Sequence, residues 1–235
     1  MLEIHDLHCY YGRSHVVQGV SLAVGAGEAV GLVGRNGVGK TTTLRSIMGL
    51  VRGTRGKILF KNEDLSSVPT HARARRGLGF IPDEHAVFPG MTVEENIRAA
   101  TLLLAGAGQR RSLDTVYELL PLLAERRHQP AGTLSGGEQK MLALARGLAS
   151  RPELLLIDEP SEGLMPLNAE LIANAIDRAR SNGLSLLVVD SSFELLRTVC
   201  GRLYVMDQGT ITGEHRLTEL ASSTDLVQTY LRANA

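Results

Sequence analysis

The stretch at residues 34–41 reads GRNGVGKT and fits the pattern GxxxxGK[ST] at every specified position. Its glycines let the backbone turn so that successive amides point into one concavity, and the N-terminus of a following helix adds a positive dipole. We therefore predict a phosphate cradle, in which Lys40 neutralises the outer phosphates and the Thr41 hydroxyl contacts the magnesium ion of a nucleotide triphosphate. The alternative is a glycine-rich turn that binds no ligand. The candidate nucleotide-binding residues are Gly34, Arg35, Asn36, Gly37, Val38, Gly39, Lys40, Thr41 and Thr42.

The sequence on either side of this loop supports the prediction. Upstream, residues 29–33 form a short apolar run that is typical of a buried strand. Downstream, apolar side chains recur at the spacing of one helix face, at Leu44, Ile47, Met48 and Val51. The order of strand, loop and helix is the context that a phosphate loop requires.

The composition is that of a globular chain without a dominant charge. With 235 residues, 43% of them hydrophobic and 21% charged, the chain can bury a sizeable core in one domain. Its 25 basic and 25 acidic side chains balance, which excludes a global field that would recruit nucleic acid or an anionic membrane. The cysteines are too few for a disulfide framework, and no apolar run approaches the ~20 residues that span a bilayer. Because Met1 leads directly into strand-like sequence, we expect a cytosolic or membrane-peripheral protein.

Alternating apolar residues near the N-terminus predict an antiparallel β lobe. They fall within residues 2–4 and 20–24, and residues 57–61 predict another strand after two glycines. Between the first strands, Tyr11 precedes Gly12, where an aromatic ring could stack on a nucleotide base. The alternative is a tyrosine in a turn that packs against the sheet.

The middle of the chain changes from strand signals to helix signals. Residues 78–81 predict a short buried strand, and Asp83 follows shortly after it. Thr92 and Glu95 form a capping box that opens a helix. We interpret residues 86–150 as a helical lobe inserted into an α/β core. The predicted order within it is a helix from this box to about residue 104, a loop at 106–112 and a helix at 113–123.

The sequence LSGGEQ at residues 134–139 predicts a second helix start. Ser135 and Glu138 form another capping box with Gly136 and Gly137 between them. Each glycine costs roughly 1 kcal/mol relative to alanine inside a helix, but in a first turn it bares amides that can meet an anion. The pattern therefore indicates a second phosphate site, and the alternative is an ordinary helix start with flexible caps.

Two further buried strands are predicted to deliver polar side chains to one sheet edge. Residues 154–157 form an apolar run that ends in Asp158 and Glu159, and residues 184–189 form another that is followed by Asp-Ser-Ser. Asp158 could hold magnesium, and Glu159 could polarise the water that attacks a γ-phosphate. The remaining predictions are a strand at 203–206, a turn at 207–209 and a helical tail.

The phosphate loop, LSGGEQ and LLLIDEP, in this order and spacing, resemble the ATP-binding cassette (ABC) ATPases across nearly the whole chain. The resemblance implies an α/β fold, a P-loop NTPase (RecA-like) core with an antiparallel β lobe and an inserted helical lobe. It implies one domain over residues 1–235, with the core and β lobe at 1–85 and 151–235 and the helical signature lobe at 86–150. It also implies that Tyr11 stacks on adenine, that Glu159 is the catalytic carboxylate, and that Ser135, Gly136, Gly137 and Glu138 form the signature that faces a partner's ATP.

Within that family, GLGFIPDEHAVFPGMTVEENI and DEPSEGLMPL look like the ATPase of branched-chain amino acid importers, whose relatives carry urea, amides or similar small solutes. Such an importer uses ATP and Mg²⁺, transmembrane permease subunits, a second ATPase subunit or a second copy arranged head to tail, and a solute-binding protein. It lies peripherally on the cytoplasmic face of the membrane and binds no nucleic acid. Lipopolysaccharide-export ATPases share much of the THARARRGLGF region and are the nearest alternative. A cytosolic ABC protein acting on ribosomes or DNA, and a regulatory subunit that binds ATP without hydrolysing it, are the others.

The sequence departs from the superfamily pattern at two site positions. Asp83 replaces the usual glutamine, and its carboxylate could still meet magnesium beside Thr41 and Asp158. Ser191 replaces the usual histidine after the last core strand, which predicts normal ATP binding with slow hydrolysis. None of the seven histidines is assigned to catalysis, and each is interpreted as a surface or structural residue: His5, His8, His15, His71, His85, His128 and His215.

Overall fold

The computed structural model describes residues 1–84, 86–102, 104 and 106–219. The predicted helical tail after residue 219 and His85 lie outside them. In chain order the elements are β1 (Leu2–Tyr11), β2 (Ser14–Val24), β3 (Ala29–Val33), α1 (Lys40–Ile47), β4 (Gly53–Phe60), β5 (Glu63–Asp64), α2 (Thr70–Arg75), β6 (Leu78–Ile81), α3 (Val93–Ala100), α4 (Gly106–Leu119), α5 (Pro121–Glu125), α6 (Gly136–Ala149), β7 (Leu154–Asp158), α7 (Pro166–Ser181), β8 (Ser185–Val189), α8 (Phe193–Val199), β9 (Arg202–Asp207) and β10 (Thr210–Arg216). Short 3-10 turns cover Ala131–Thr133 and Leu217–Glu219.

One sheet is antiparallel and has the strand order β2-β1-β4-β5, which confirms the predicted antiparallel strands. The prediction that the third strand starts at residue 57 is wrong, because β4 begins at Gly53. A side chain at Gly56 would collide with the Asp6 carbonyl, so this glycine permits close approach of two strands rather than breaking one.

The second sheet has the order β10-β9-β3-β8-β7-β6. All its neighbouring pairs are parallel except that of β10 with β9. Every residue of β3, β7 and β8 is buried, as expected for parallel strands covered on both faces. Because parallel strands end at one edge, the phosphate loop and the residues that follow β6, β7 and β8 meet there.

Helices occupy most of the stretch from residue 93 to 149. The capping box of Thr92 and Glu95 is confirmed at the start of α3. That helix ends at Ala100 rather than at about residue 104, and the predicted loop at 106–112 is wrong because α4 begins at Gly106. The Ser112 hydroxyl donates to the Ala149 carbonyl of α6 at 2.6 Å, so tertiary contacts outweigh the weak helix propensity of the glycines.

The predicted helix at 113–123 is two helices. The first, α4, ends at Leu119, and Pro121 opens α5 after Leu120, because a proline lacks an amide donor and therefore fits the first turn of a helix but breaks a helix interior.

Two buried clusters cover the two faces of the parallel sheet. On β7, Leu155 and Ile157 face one cluster, which contains the buried residues of α3, α4 and α6. Leu154 and Leu156 face the other, which contains the apolar side of the antiparallel sheet and of α1. This confirms the α/β fold class, while the residue boundaries of the lobes stay a prediction. In the part of the chain that the structure describes, every helix is too short or too polar to cross a membrane.

Candidate nucleotide-binding site

The loop between β3 and α1 has the geometry of an open cradle. Gly37 and Gly39 adopt φ values of 83° and 114°, which side chains disfavour. A side chain at Gly34 would collide with the Met206 carbonyl, so only glycine fits at this position of the loop. Gly39 caps α1 without a side-chain hydrogen bond, which leaves the amides of the first turn facing the loop.

Lys40 lies across this cradle and is only 5% exposed. Its Nζ donates to the carbonyl oxygens of Gly34 at 2.9 Å and Arg35 at 3.3 Å. The same atom is 3.3 Å from Oε1 of Glu159. The residue that begins α1 and the residue that follows β7 are therefore brought into direct contact.

Glu159 is held by both its backbone and its side chain. Its φ of 46° lies in the left-handed region, which costs a non-glycine residue roughly 1 kcal/mol or more. Its amide donates to the Val189 carbonyl at 2.8 Å, and its Oε2 accepts from the Ser191 amide at 3.1 Å. Such strain persists only where surrounding contacts determine the conformation, and here they aim the carboxylate at the cradle.

Asp158 and Thr41 form the arrangement that best suits a cation. The Thr41 hydroxyl donates to Asp158 Oδ1 at 3.0 Å, and the buried Oδ2 has no hydrogen-bond partner among the described residues. Burial raises the pKa of Asp158 to about 6; the hydrogen bond from Thr41 opposes this, and the negative charges of Glu159 and Asp83 add to it. A divalent cation would satisfy the unpaired oxygen and stabilise the ionised form.

Of the three predicted metal residues, Thr41 and Asp158 are joined by a hydrogen bond, and Asp83 lines the same cavity as Thr41. Asp83 Oδ1 accepts a hydrogen bond from Lys140 Nζ at 3.1 Å. Among the described residues, no three His, Cys, Asp or Glu side chains converge well enough to hold a metal. Thr41 and Asp158 therefore fit Mg²⁺ only as part of a shell completed by phosphate oxygens and water.

A cavity of about 230 Å³ lies over the cradle. Its lining joins the loop after β3 to the residues that follow β6 and β7: Val16, Asn36, Gly37, Gly39, Lys40, Thr41, Thr42, Asp83, Glu159 and Glu162. Sequence reasoning missed Val16 and Glu162. Glu162 follows Glu159 by three residues on the same loop, a spacing that could have suggested it, whereas Val16 carries no signal of its own.

Tyr11 and Ser191 are not among the residues that line this cavity. Tyr11 ends β1 and is 48% exposed. The Ser191 side chain is exposed, and its backbone amide makes the contact with Glu159. Beside it, Asp190 is buried and accepts hydrogen bonds from the amide and hydroxyl of Ser161 and from the Ser192 amide.

The LSGGEQ segment opens α6 with the predicted capping box. The Ser135 hydroxyl accepts from the Glu138 amide at 3.3 Å, and the Ser135 amide donates to Glu138 Oε2 at 2.8 Å. A side chain at Gly137 would collide with Asn168 of α7, whereas one at Gly136 would meet no atom within 4 Å. Gly137 is thus packed closely against a side chain of α7, and Gly136 is exposed at a helix start that the described residues do not cover.

The loop before α3 is braced from within. The Asn96 side chain accepts from the Phe88 amide at 2.8 Å and donates to the Phe88 carbonyl at 2.9 Å. The guanidinium of Arg146 lies 4.4 Å from the centre of the Phe88 ring. Val87 packs against the core, while Phe88 is 48% exposed and Met91 is 40% exposed.

Comparison with known proteins agrees with this geometry. A family model described as "ABC transporter" matches residues 17–162. The chain is 37% identical over 211 residues to the high-affinity branched-chain amino acid transport ATP-binding protein BraG of Pseudomonas aeruginosa, with 90% of this chain and 91% of that protein covered. It is 36% identical over 224 residues to the lipopolysaccharide export system ATP-binding protein LptB of Escherichia coli K12, with 94% and 92% covered.

Solved structures show the same fold. An ATP-binding subunit of an ABC transporter superposes with a TM-score of 0.83 at 26% identity, and the match covers 99% of this chain and 96% of that one. The dimeric bacterial ABC transporter cassette MJ0796 superposes with a TM-score of 0.83 at 24% identity, covering 92% and 99%.

The fold and the phosphate-loop site together define an ATP-binding cassette. The chain belongs to the ABC transporter family, as an ATP-binding subunit, and it is an ATPase. The predicted P-loop NTPase fold is confirmed.

Proposed function

We propose that this chain powers an importer of branched-chain amino acids or similar small solutes, bound peripherally to the cytoplasmic face of the membrane through permease subunits. The observation that carries the ATPase part is the contact of Lys40 with Glu159, both of which line the cavity over the cradle. The importer part is supported by the similarity to BraG. Lipopolysaccharide export is the second candidate, because the similarity to LptB is nearly equal.

In this proposal the phosphates of ATP lie against the amides of the cradle, and Lys40 neutralises the outer ones. Thr41 and Asp158, with Asp83 close by, would hold Mg²⁺, which neutralises charge on the phosphates when it is bound. Glu159 orients the attacking water and accepts its proton. Tyr11 stacks on the base, and Ser135, Gly136, Gly137 and Glu138 face the ATP of a partner subunit.

The ATPase proposal is tested by separating binding from hydrolysis. In the assembled complex, Glu159→Gln is expected to retain ATP binding and lose at least ~100-fold in turnover, because an amide cannot accept the proton. Lys40→Ala is expected to lose binding itself. Glu118→Gln, an exposed position on α4, is the matched control and is expected to behave as wild type. Full turnover in Glu159→Gln would reject the assignment.

The substrate is tested in proteoliposomes that contain the purified complex. We expect ATP turnover and solute uptake to rise together when a solute-binding protein loaded with a branched-chain amino acid is added. A rise with lipopolysaccharide, and none with any amino acid or amide, would favour the export candidate.

A further inference from the structure

Lys140 connects α6 to the nucleotide cavity. It lies five residues after Ser135, on the helix that begins with the LSGGEQ segment. Its Nζ donates to Asp83 Oδ1 at 3.1 Å and to the Glu159 carbonyl oxygen at 2.7 Å. One ammonium group therefore joins the loop after β6, the loop after β7 and α6.

The charges around this contact indicate an electrostatic role for Lys140 at the phosphate cavity. Asp83 and Glu159 both line the phosphate cavity, together with Glu162. Lys40 is already paired with Glu159. A carboxylate at position 83 would repel an incoming terminal phosphate, and Lys140 is the cation paired with it.

We propose that Lys140 is a positioning residue for the terminal phosphate: its ammonium neutralises Asp83 and fixes the Glu159 carbonyl, so that the γ-phosphate of ATP can enter beside a carboxylate. The inference rests on the proposed ATP site and deepens it. Asp83 and Lys140 then act as a charge pair: Asp83 can lie beside a triphosphate because Lys140 neutralises its negative charge. Lys140 also links the helix of the signature segment to the occupancy of this chain's own site.

The test compares the affinities of ATPγS and ADP, which differ by the terminal group, by calorimetric titration with EDTA present so that no metal competes for Asp83. Lys140→Gln keeps a donor for the Glu159 carbonyl but removes the charge. We expect it to weaken ATPγS binding about fivefold and ADP binding less than twofold, a size set by the partial exposure of the pair, 22% for Lys140 and 32% for Asp83. Lys140→Arg, which keeps the charge, is expected to bind ATPγS like wild type.

The double variant Asp83→Asn/Lys140→Gln decides between charge and packing. We expect it to restore ATPγS affinity to within about twofold of wild type, because the repulsive carboxylate is gone as well. Lys61→Met, which breaks an exposed ion pair of 2.6 Å with Glu153, is the control and should leave both affinities unchanged. The proposal would be overturned if Lys140→Gln weakened the binding of ATPγS and ADP equally, or weakened neither. It would also be overturned if the double variant bound ATPγS as weakly as Lys140→Gln does.

Two further measurements keep the result interpretable. If Lys140→Gln fails to fold, Asp83→Asn alone is used: it should bind ATPγS at least as tightly as wild type, and weaker binding would overturn the proposal. If wild type does not bind ATPγS, or Lys40→Ala binds it equally well, the proposed ATP site fails; if those two results hold and only the Lys140 variants disagree, this inference alone fails.

Discussion

Glu159 depends on neighbours that are far apart in the sequence. Lys40 contacts its carboxylate, Lys140 binds its carbonyl, and the Ser191 amide donates to its Oε2. The last of these contacts comes from the backbone N–H, so any residue except proline at position 191 can supply it. What Ser191 lacks is a side chain long enough and charged enough to reach a phosphate as an imidazole would.

At Ser191 we therefore expect the chemical step to be slow while binding is intact. Ser191→His should raise the single-turnover rate of the assembled complex about 5- to 30-fold, the range for replacing a neutral hydrogen bond with a charge-assisted one. Ser191→Ala retains the backbone donor and should stay within about twofold of wild type. An unchanged rate in Ser191→His, with ATP affinity also unchanged, would show that the serine is not limiting.

Between elements, one ion pair joins the start of β3 to β9. Glu28 precedes β3, and its Oε1 accepts from Arg202 Nε at 2.7 Å. Its Oε2 accepts from the Gly25 amide at 2.6 Å. Burial alone would raise the pKa of Glu28, but the hydrogen bonds from Arg202 and Gly25 outweigh it and lower the pKa below its usual 4.5. The strand that leads into the phosphate loop is thereby tied to its neighbour.

Because the pKa of Glu28 is lower in the folded state, the ionised group stabilises the fold above pH 4.5, and this stability is lost as pH falls through the lowered folded pKa. At pH 7, Glu28→Gln should reduce the free energy of unfolding by about 1 kcal/mol, a figure that allows for partial exposure. Measured by urea unfolding, the difference in the free energy of unfolding between Glu28→Gln and wild type should shrink at pH 4 and below. Glu214→Gln, an exposed partner of the same Arg202, is the control and should change stability less. If this difference in stability grew as the pH was lowered, the inference that ionised Glu28 stabilises the fold would be contradicted.

At the scale of the whole molecule, the two helix starts that we predict to face phosphates do not share a cavity among the described residues. The start of α1 lines the phosphate cavity, whereas Ser135 and Gly136 are exposed at the start of α6. Two copies, or this chain and a related subunit, can complete both sites in a head-to-tail arrangement.

Saturating ATP should therefore convert the Glu159→Gln variant from monomer to dimer, alone or with its cognate ATPase partner, as measured by light scattering. A Cβ added at Gly136 would meet no atom of the described residues within 4 Å, so we expect Gly136→Val to fold and its dimer to be weakened. Lys40→Ala, without bound nucleotide, should remain monomeric. A Glu159→Gln variant that stays monomeric under both conditions would exclude the head-to-tail model.

A second surface of the molecule is expected to bind the permease. Phe88 and Met91 are half exposed on a loop that begins beside Asp83, so movement at the nucleotide could reach them. Phe88→Glu should abolish copurification with a membrane permease pair, because a charge would enter an apolar contact. Leu50→Glu, at an exposed leucine 52% accessible near α1, is the matched control. Unchanged copurification of Phe88→Glu would count against this docking surface.

Short-range chemistry made much of this structure predictable from the sequence alone. The phosphate loop, both capping boxes and the strands at 78–81 and 154–158 depend on hydrogen bonds and apolar spacing within a few residues. Such features can be predicted from the sequence because the residues that form them are also neighbours along the chain.

The tertiary structure decided what depends on distant partners. The helix over residues 106–112 is tied to Ala149 through the Ser112 hydroxyl, and Gly137 lies close against the Asn168 side chain. Asp83 meets Lys140, which lies 57 positions further along the chain, and no local pattern marks that pair. Folding brings these groups together by burying apolar surface on both faces of one sheet, and the contacts that result have no counterpart in the spacing of the sequence.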